Sequence, residues 1–221
     1  MLATGERVLA GARNNRAGLV TSYLMCAARV LQGAVRGSVV GRLMVVPKDF
    51  EIKRRIVDGV DRPIGELTVD AICRNSGVSR PTFYRHFGSK FDLSSWYAKC
   101  VGEFYLDQIG RTYSWEKGLT EHFSLLYEKR DLFFFGAESS QDNYLSESMQ
   151  LHRREVLIQT LRERGAELTP AMEFYVESYA FLETGMAGRW MRGCMDRDPG
   201  ELGLYLAQCV PTPLYEALRL E

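Results

Sequence analysis

Three histidines (His86, His122, His152) and five cysteines (Cys26, Cys73, Cys100, Cys194, Cys209) are the side chains best suited to acid–base, nucleophilic or metal chemistry. Their spacing supports none of it. The histidines stand far apart, no His-Glu-x-x-His occurs, and no glycine-rich loop offers its amides to a phosphate. His152 and Glu155, three apart on an expected helix, would need at least a third donor to hold a metal, so a solvated helix face is the plainer reading. The cysteines form no Cys-x-x-Cys pair and their odd number argues against a closed disulfide framework, which suits a reducing cytoplasm. Cys73 and the other thiols read as packing groups rather than redox sensors. No catalytic residue, metal or cofactor is expected.

The chemistry that the sequence does favour is electrostatic. The 221 residues hold 28 Lys/Arg and 28 Asp/Glu, but after a cut at Phe91 the front carries 15 basic against 7 acidic residues and the remainder 13 against 21. That asymmetry points to a polyanion-binding front end on an acidic body. With 46% apolar and 25% charged residues, the chain has the composition of a globular protein and not of a collagen, a disulfide scaffold or a disordered chain.

Residues 1–46 hold six arginines, no lysine, one acid (Glu6) and no convincing helix start or stop. A disordered or misassigned extension is the favoured reading over an organelle transit peptide, and Met44 would serve as an alternative start. The apolar stretch from Leu19 to Val35 is broken by Ser22, Arg29 and Gln32, a poor bilayer span.

From Lys48 the pattern turns helical, with Ile52, Ile56 and Val60 on one stripe. Pro63 and Gly65 interrupt it, and Thr68 is placed to cap a second helix that runs to about Ser76. Gly77 suits a sharp turn at positive φ, Val78 can enter the core, and Ser79 caps a third helix with Pro81 in its first turn. Phe83 and Phe87, four apart, share one face of that helix and leave Arg80, Thr82, Arg85 and His86 elsewhere. Two helices joined by such a turn form a helix-turn-helix. Further helices are expected from about Lys90 to near Gly110, from Trp115 to about Tyr127, from Tyr144 to Arg164, from Pro170 to Arg192 and from Pro199 to about Cys209, with a short aromatic piece at Leu132 to Phe135. Thr169-Pro170 and Asp198-Pro199-Gly200-Glu201 are clear starts. No stretch alternates with period two, so the expected fold is all-α.

Residues Leu67 to Trp96, LTVDAICRNSGVSRPTFYRHFGSKFDLSSW, resemble the DNA-binding domain of TetR/AcrR-type bacterial transcriptional regulators. Within that family, TFYRHF followed by KFDL and a tryptophan is similar to the subgroup that regulates dihydroxyacetone kinase operons, with weaker support from Phe174 to Asp198. The resemblance implies an N-terminal three-helix DNA-binding domain over residues 47–92 and a helical effector-binding and dimerisation domain over 93–221. It implies a homodimer on double-stranded DNA whose third helix enters the major groove of a near-palindromic operator. Carried over by position, Ser79, Arg80, Thr82 and Arg85 become candidates for base or groove contacts, and Thr68, Tyr84, His86 and Lys90 for phosphate contacts. Arg80 is the best reader of guanine, since its fork can bond O6 and N7 together. Pro81 departs from the family pattern and offers only an apolar ring at its position.

The implied function is a cytoplasmic transcription regulator, a repressor by family default, controlled by a small-molecule effector or a protein co-regulator. Alternatives are an activator working with a protein co-regulator, or an interaction protein that has lost operator binding. Two readings stand for Phe123, Tyr127, Phe133, Phe134, Phe135 and Tyr144: lining of an effector pocket, or plain core. Gly185 and Gly188, with Phe181, Met186 and Trp190, suggest a dimer seam in preference to intramolecular core.

Overall fold

The computed structural model describes residues 48–135 and 141–220, with side chains from 147 onward in the second stretch. The reading of 1–46, Cys26 and Met44 included, and that of the Tyr144 side chain lie outside the described residues. Nine α-helices make up the described chain: α1 (Lys48–Asp58), α2 (Val69–Ser76), α3 (Arg80–His86), α4 (Asp92–Phe104), α5 (Trp115–Glu128), α6 (Gln141–Glu163), α7 (Pro170–Met191), α8 (Pro199–Gln208) and α9 (Thr212–Leu218). Short 3-10 turns occupy Ile64–Glu66, Leu106–Gln108 and Arg130–Phe133, and no strand occurs among the described residues.

Local chemistry sets the helix ends. Free amides of a first turn need an acceptor, and side chains supply it at five starts, among them Ser114 Oγ, which accepts from Lys117 N at 3.2 Å. Thr68 Oγ1 accepts from Ala71 N, Ser79 Oγ from Thr82 N and Thr169 Oγ1 from Met172 N, each at 3.2 Å. Asp198 Oδ1 accepts from Gly200 N at 2.8 Å and Glu201 N at 3.2 Å. Gly77 closes α2 at φ 67°, a conformation that costs other residues a steric clash. The expected helix from Lys90 to Gly110 is shorter: it stops at Phe104, and a 3-10 turn carries the chain on to Gly110. Helix α9 was not expected at all. Pro211 and Pro213 look like terminators, yet Pro213 falls in the first turn, where a missing N–H leaves no bond unmade.

Packing divides into layers. Helices α1 to α3 close over Phe50, Ile56, Val57, Ile64, Ile72 and Phe83, all buried. Trp96 of α4 reaches across to Phe50 at 5.3 Å and Phe87 at 6.1 Å between ring centroids, which ties this group to the next helix. In the body, α5 lies on α8 so closely that a Cβ on Gly203 would sit 2.6 Å from the backbone of Thr120. Helices α6 and α7 pack against each other and are bolted by an Arg153–Glu183 ion pair at 3.0 Å, with both side chains 3% exposed. Two such charges leave water at a cost of several kcal/mol each, which their pairing offsets together with a bond from Arg153 Nη1 to the Leu106 carbonyl at 2.9 Å.

Candidate nucleic-acid interface

Helix α3 is held from below and bare above. Phe83 is completely buried, and losing such a ring costs ~3–5 kcal/mol, enough to fix the rotation of a seven-residue helix. With that face fixed inward, Ser79, Arg80, Pro81, Tyr84 and Arg85 are exposed and Thr82 is half-buried. Thr68, at the start of α2, is exposed as well. Six of the eight sequence-derived positions thus share the accessible side of the helix-turn-helix: Thr68, Ser79, Arg80, Thr82, Tyr84 and Arg85.

The turn itself is braced. Arg55 of α1 donates from Nη2 to the Ser76 and Gly77 carbonyls at 3.1 and 3.3 Å, a cation at the negative end of α2. Asn75 Nδ2 donates to the Gly59 carbonyl at 3.0 Å. Arg80 Nη1 lies 2.9 Å from Asp70 Oδ1, and its guanidinium sits 5.8 Å from the Tyr84 ring centre. Its fork is therefore pre-oriented by a half-exposed acid and an aromatic face, while 57% of the side chain stays open to solvent.

His86 and Lys90 are placed differently from the outward phosphate contacts implied by position. The His86 ring is 8% exposed and its Nδ1 lies 2.7 Å from Asp49 Oδ1 on α1. Lys90 Nζ donates to the Gly65 carbonyl at 3.0 Å and the Leu67 carbonyl at 2.6 Å, and partial burial lowers its pKa. Both side chains act first as internal tethers because a polar group near the core must find a partner inside. Val78, expected in the core, is half-buried. The charge picture also sharpens: residues 48–91 carry 9 basic and 6 acidic residues, so most of the front-end excess resides in 1–47.

Elsewhere the sequence readings divide. Trp190 is 6% exposed, donates from Nε1 to the Arg197 carbonyl at 3.0 Å and meets Phe123 edge-on at 5.7 Å, so it belongs to the intramolecular core and not to a seam. Phe181 is 67% exposed and Phe174, seven residues earlier on the same helix, 68%. His152, its side chain 41% exposed, stands on one face with the exposed Glu155, and its Nε2 also meets Asp107 Oδ2 at 3.1 Å, a carboxylate that raises its pKa. His122 is buried and its pKa is pushed down to about 3, chiefly by burial. Burial lifts the Cys73 thiol and pushes Cys100 up to about 12, which makes both inert. Cys194 and Cys209 are exposed. Of the aromatic group, Phe123, Phe133 and Phe135 line a cavity of about 280 Å³, Tyr127 packs on Trp190, and Phe134 is exposed.

A capped two-helix unit with an outward cationic ridge is suited to a duplex groove. Residues 60–94 match bacterial regulatory proteins of the tetR family. The match spans α2, α3 and the start of α4, and it indicates a DNA-binding transcription regulator. It leaves α5 to α9 unassigned. No curated protein matches the chain. Among the described residues no helix is long and apolar enough to cross a membrane.

Proposed function

We propose that the protein is a non-enzymatic, homodimeric regulator that sits on a near-palindromic operator and acts as a repressor, with control exerted through the helical body. The observation that carries this reading is the outward ridge of α3 above a buried Phe83, inside a stretch of tetR type. In this reading residues 47–92 form the DNA-binding part and 93–221 the effector-binding and dimerisation part. Ser79, Arg80, Thr82 and Arg85 read the groove, while Thr68 and Tyr84 hold phosphates. Lys90 keeps one ammonium hydrogen beyond its two internal bonds, which is free for a phosphate, and His86 positions the end of α3.

Dimerisation is supported by α7, whose Phe174 and Phe181 present two large apolar rings to solvent, seven residues apart on one helix. Two recognition helices then occupy successive major grooves only when about one helical turn, ~34 Å, separates them, so a modest shift in the body releases the operator. The second reading, an activator with a protein co-regulator as in dihydroxyacetone kinase operons, draws on the TFYRHF and KFDL segments.

The test is footprinting on DNA flanking the protein's own gene across a salt series. Protection of a symmetric site, with affinity falling steeply as salt rises, is the expected result. Flat, sequence-blind binding favours the interaction-protein alternative, and no binding at all removes the regulator reading.

A further inference from the structure

The cavity between α4, α5, α6 and α7 has a marked polarity. Its interior is walled by Ala98, Leu106, Phe123, Leu126 and Phe133, all buried. Deeper in, Arg153 pairs with Glu183 at 3.0 Å and Asp107 with His152 at 3.1 Å, while Arg153 Nη2, Asp107 Oδ1 and His122 Nδ1 are buried without a hydrogen-bond partner. At the mouth the balance changes. Lys99 is 65% exposed, with only a loose 3.9 Å contact to Glu103, and the exposed Arg192 takes no ion pair among the described residues. Ser95 and Ser148, both exposed, line the same cavity.

Gly102 is a second, independent sign of an occupant. It is buried in the last turn of α4, where glycine is a weaker helix former than alanine, yet a Cβ there would meet nothing within 4 Å. No neighbouring atom demands the missing side chain. What the glycine preserves is the open space of the cavity that it lines.

We infer that this cavity binds a small amphipathic carboxylate, with its hydrocarbon body against Phe123 and Phe133 and its anionic head held at the mouth by Lys99 and Arg192. Apolar walls favour the body by the hydrophobic effect, and a planar guanidinium matches a carboxylate in two bonds. A cationic head at the mouth would face the like charges of Lys99 and Arg192. As an effector site, the cavity rests on the regulator reading; as a binding site it does not. The wall also connects to the DNA-binding part: Phe133 and Phe135 flank Phe134, whose carbonyl accepts from Gly65 N at 3.1 Å, two residues before Leu67.

Calorimetry on the full chain with octanoate, octan-1-ol and octylamine tests the site. Octanoate should bind about ten-fold more tightly than octanol, the gain expected of two exposed ion pairs, and octylamine should not bind. The double variant Lys99→Met/Arg192→Met should erase the gap and leave octanol binding unchanged. Gly102→Leu should abolish binding of both while its circular dichroism stays that of the parent. Octanol binding as well as octanoate, a gap that survives the double variant, or no heat from octanoate overturns the inference. Operator footprinting without any ligand is read separately: its failure alongside octanoate binding removes the regulator reading and leaves the site standing.

Discussion

Lys90 Nζ lies 2.6 Å from the carbonyl oxygen of Leu67, which joins the turn before α4 to the residue that precedes the cap of α2. A second bond to Gly65, 3.0 Å long, makes the ammonium a two-point clasp on that loop. The clasp fixes where α2 begins and so where α3 points.

Lys90→Met should therefore act on stability as well as on DNA. Charge-assisted bonds of this kind, partly screened by solvent, are worth about 1–2 kcal/mol together. Urea unfolding should show that loss, and operator affinity should fall equally for all sequences. A variant as stable as the parent would show that the clasp holds nothing.

The Asp70 carboxylate competes with DNA for Arg80, since it holds the guanidinium at 2.9 Å and adds a negative charge beside the phosphates. Asp70→Asn should tighten operator binding about five-fold, ~1 kcal/mol. Arg80→Ala should instead relax preference at one base pair per half-site by ~1–3 kcal/mol. Competition binding with single-base operator variants separates the two effects. Equal behaviour of Arg80→Ala and Lys90→Met would defeat the division between reading and bracing.

His122 makes the fold acid-sensitive. Its folded pKa of about 3 lies below the ordinary 6.5, so the unfolded chain takes up a proton first as pH falls. Stability should drop by about 1.4 kcal/mol per pH unit from this group between pH 6.5 and 3. His152 has the opposite sign: raised by Asp107, its contribution is complete below pH 6.5 and is lost as pH climbs through its folded value. Chemical denaturation from pH 7 to pH 4 should be steeper for the parent than for His122→Gln, and parallel curves would refute the assignment.

Phe174 and Phe181 should hold the dimer. Replacing both with serine removes two large rings from the uncovered face of α7, each worth ~1.5–3 kcal/mol when buried. Sedimentation should show a dimer for the parent and a monomer for the double variant, with helix content unchanged. A parent that sediments as a monomer contradicts the proposed assembly.

Signals that act within a few residues were legible in the sequence. The caps at Thr68, Ser79, Thr169 and Asp198, the positive φ at Gly77 and the inward pair Phe83 and Phe87 all follow from bonds and sterics inside one turn. Helix α9 escaped because two prolines imitate a stop, and Trp190 was misplaced because helical spacing does not tell which neighbour covers a face. The tertiary structure alone decided the rest. His86 turns to Asp49 and Lys90 to Leu67, partners 37 and 23 residues away in sequence, because a desolvated polar atom is satisfied by whatever packing brings near. The cavity beside Gly102 has the same origin: it is a gap among four helices, and no single segment encodes it.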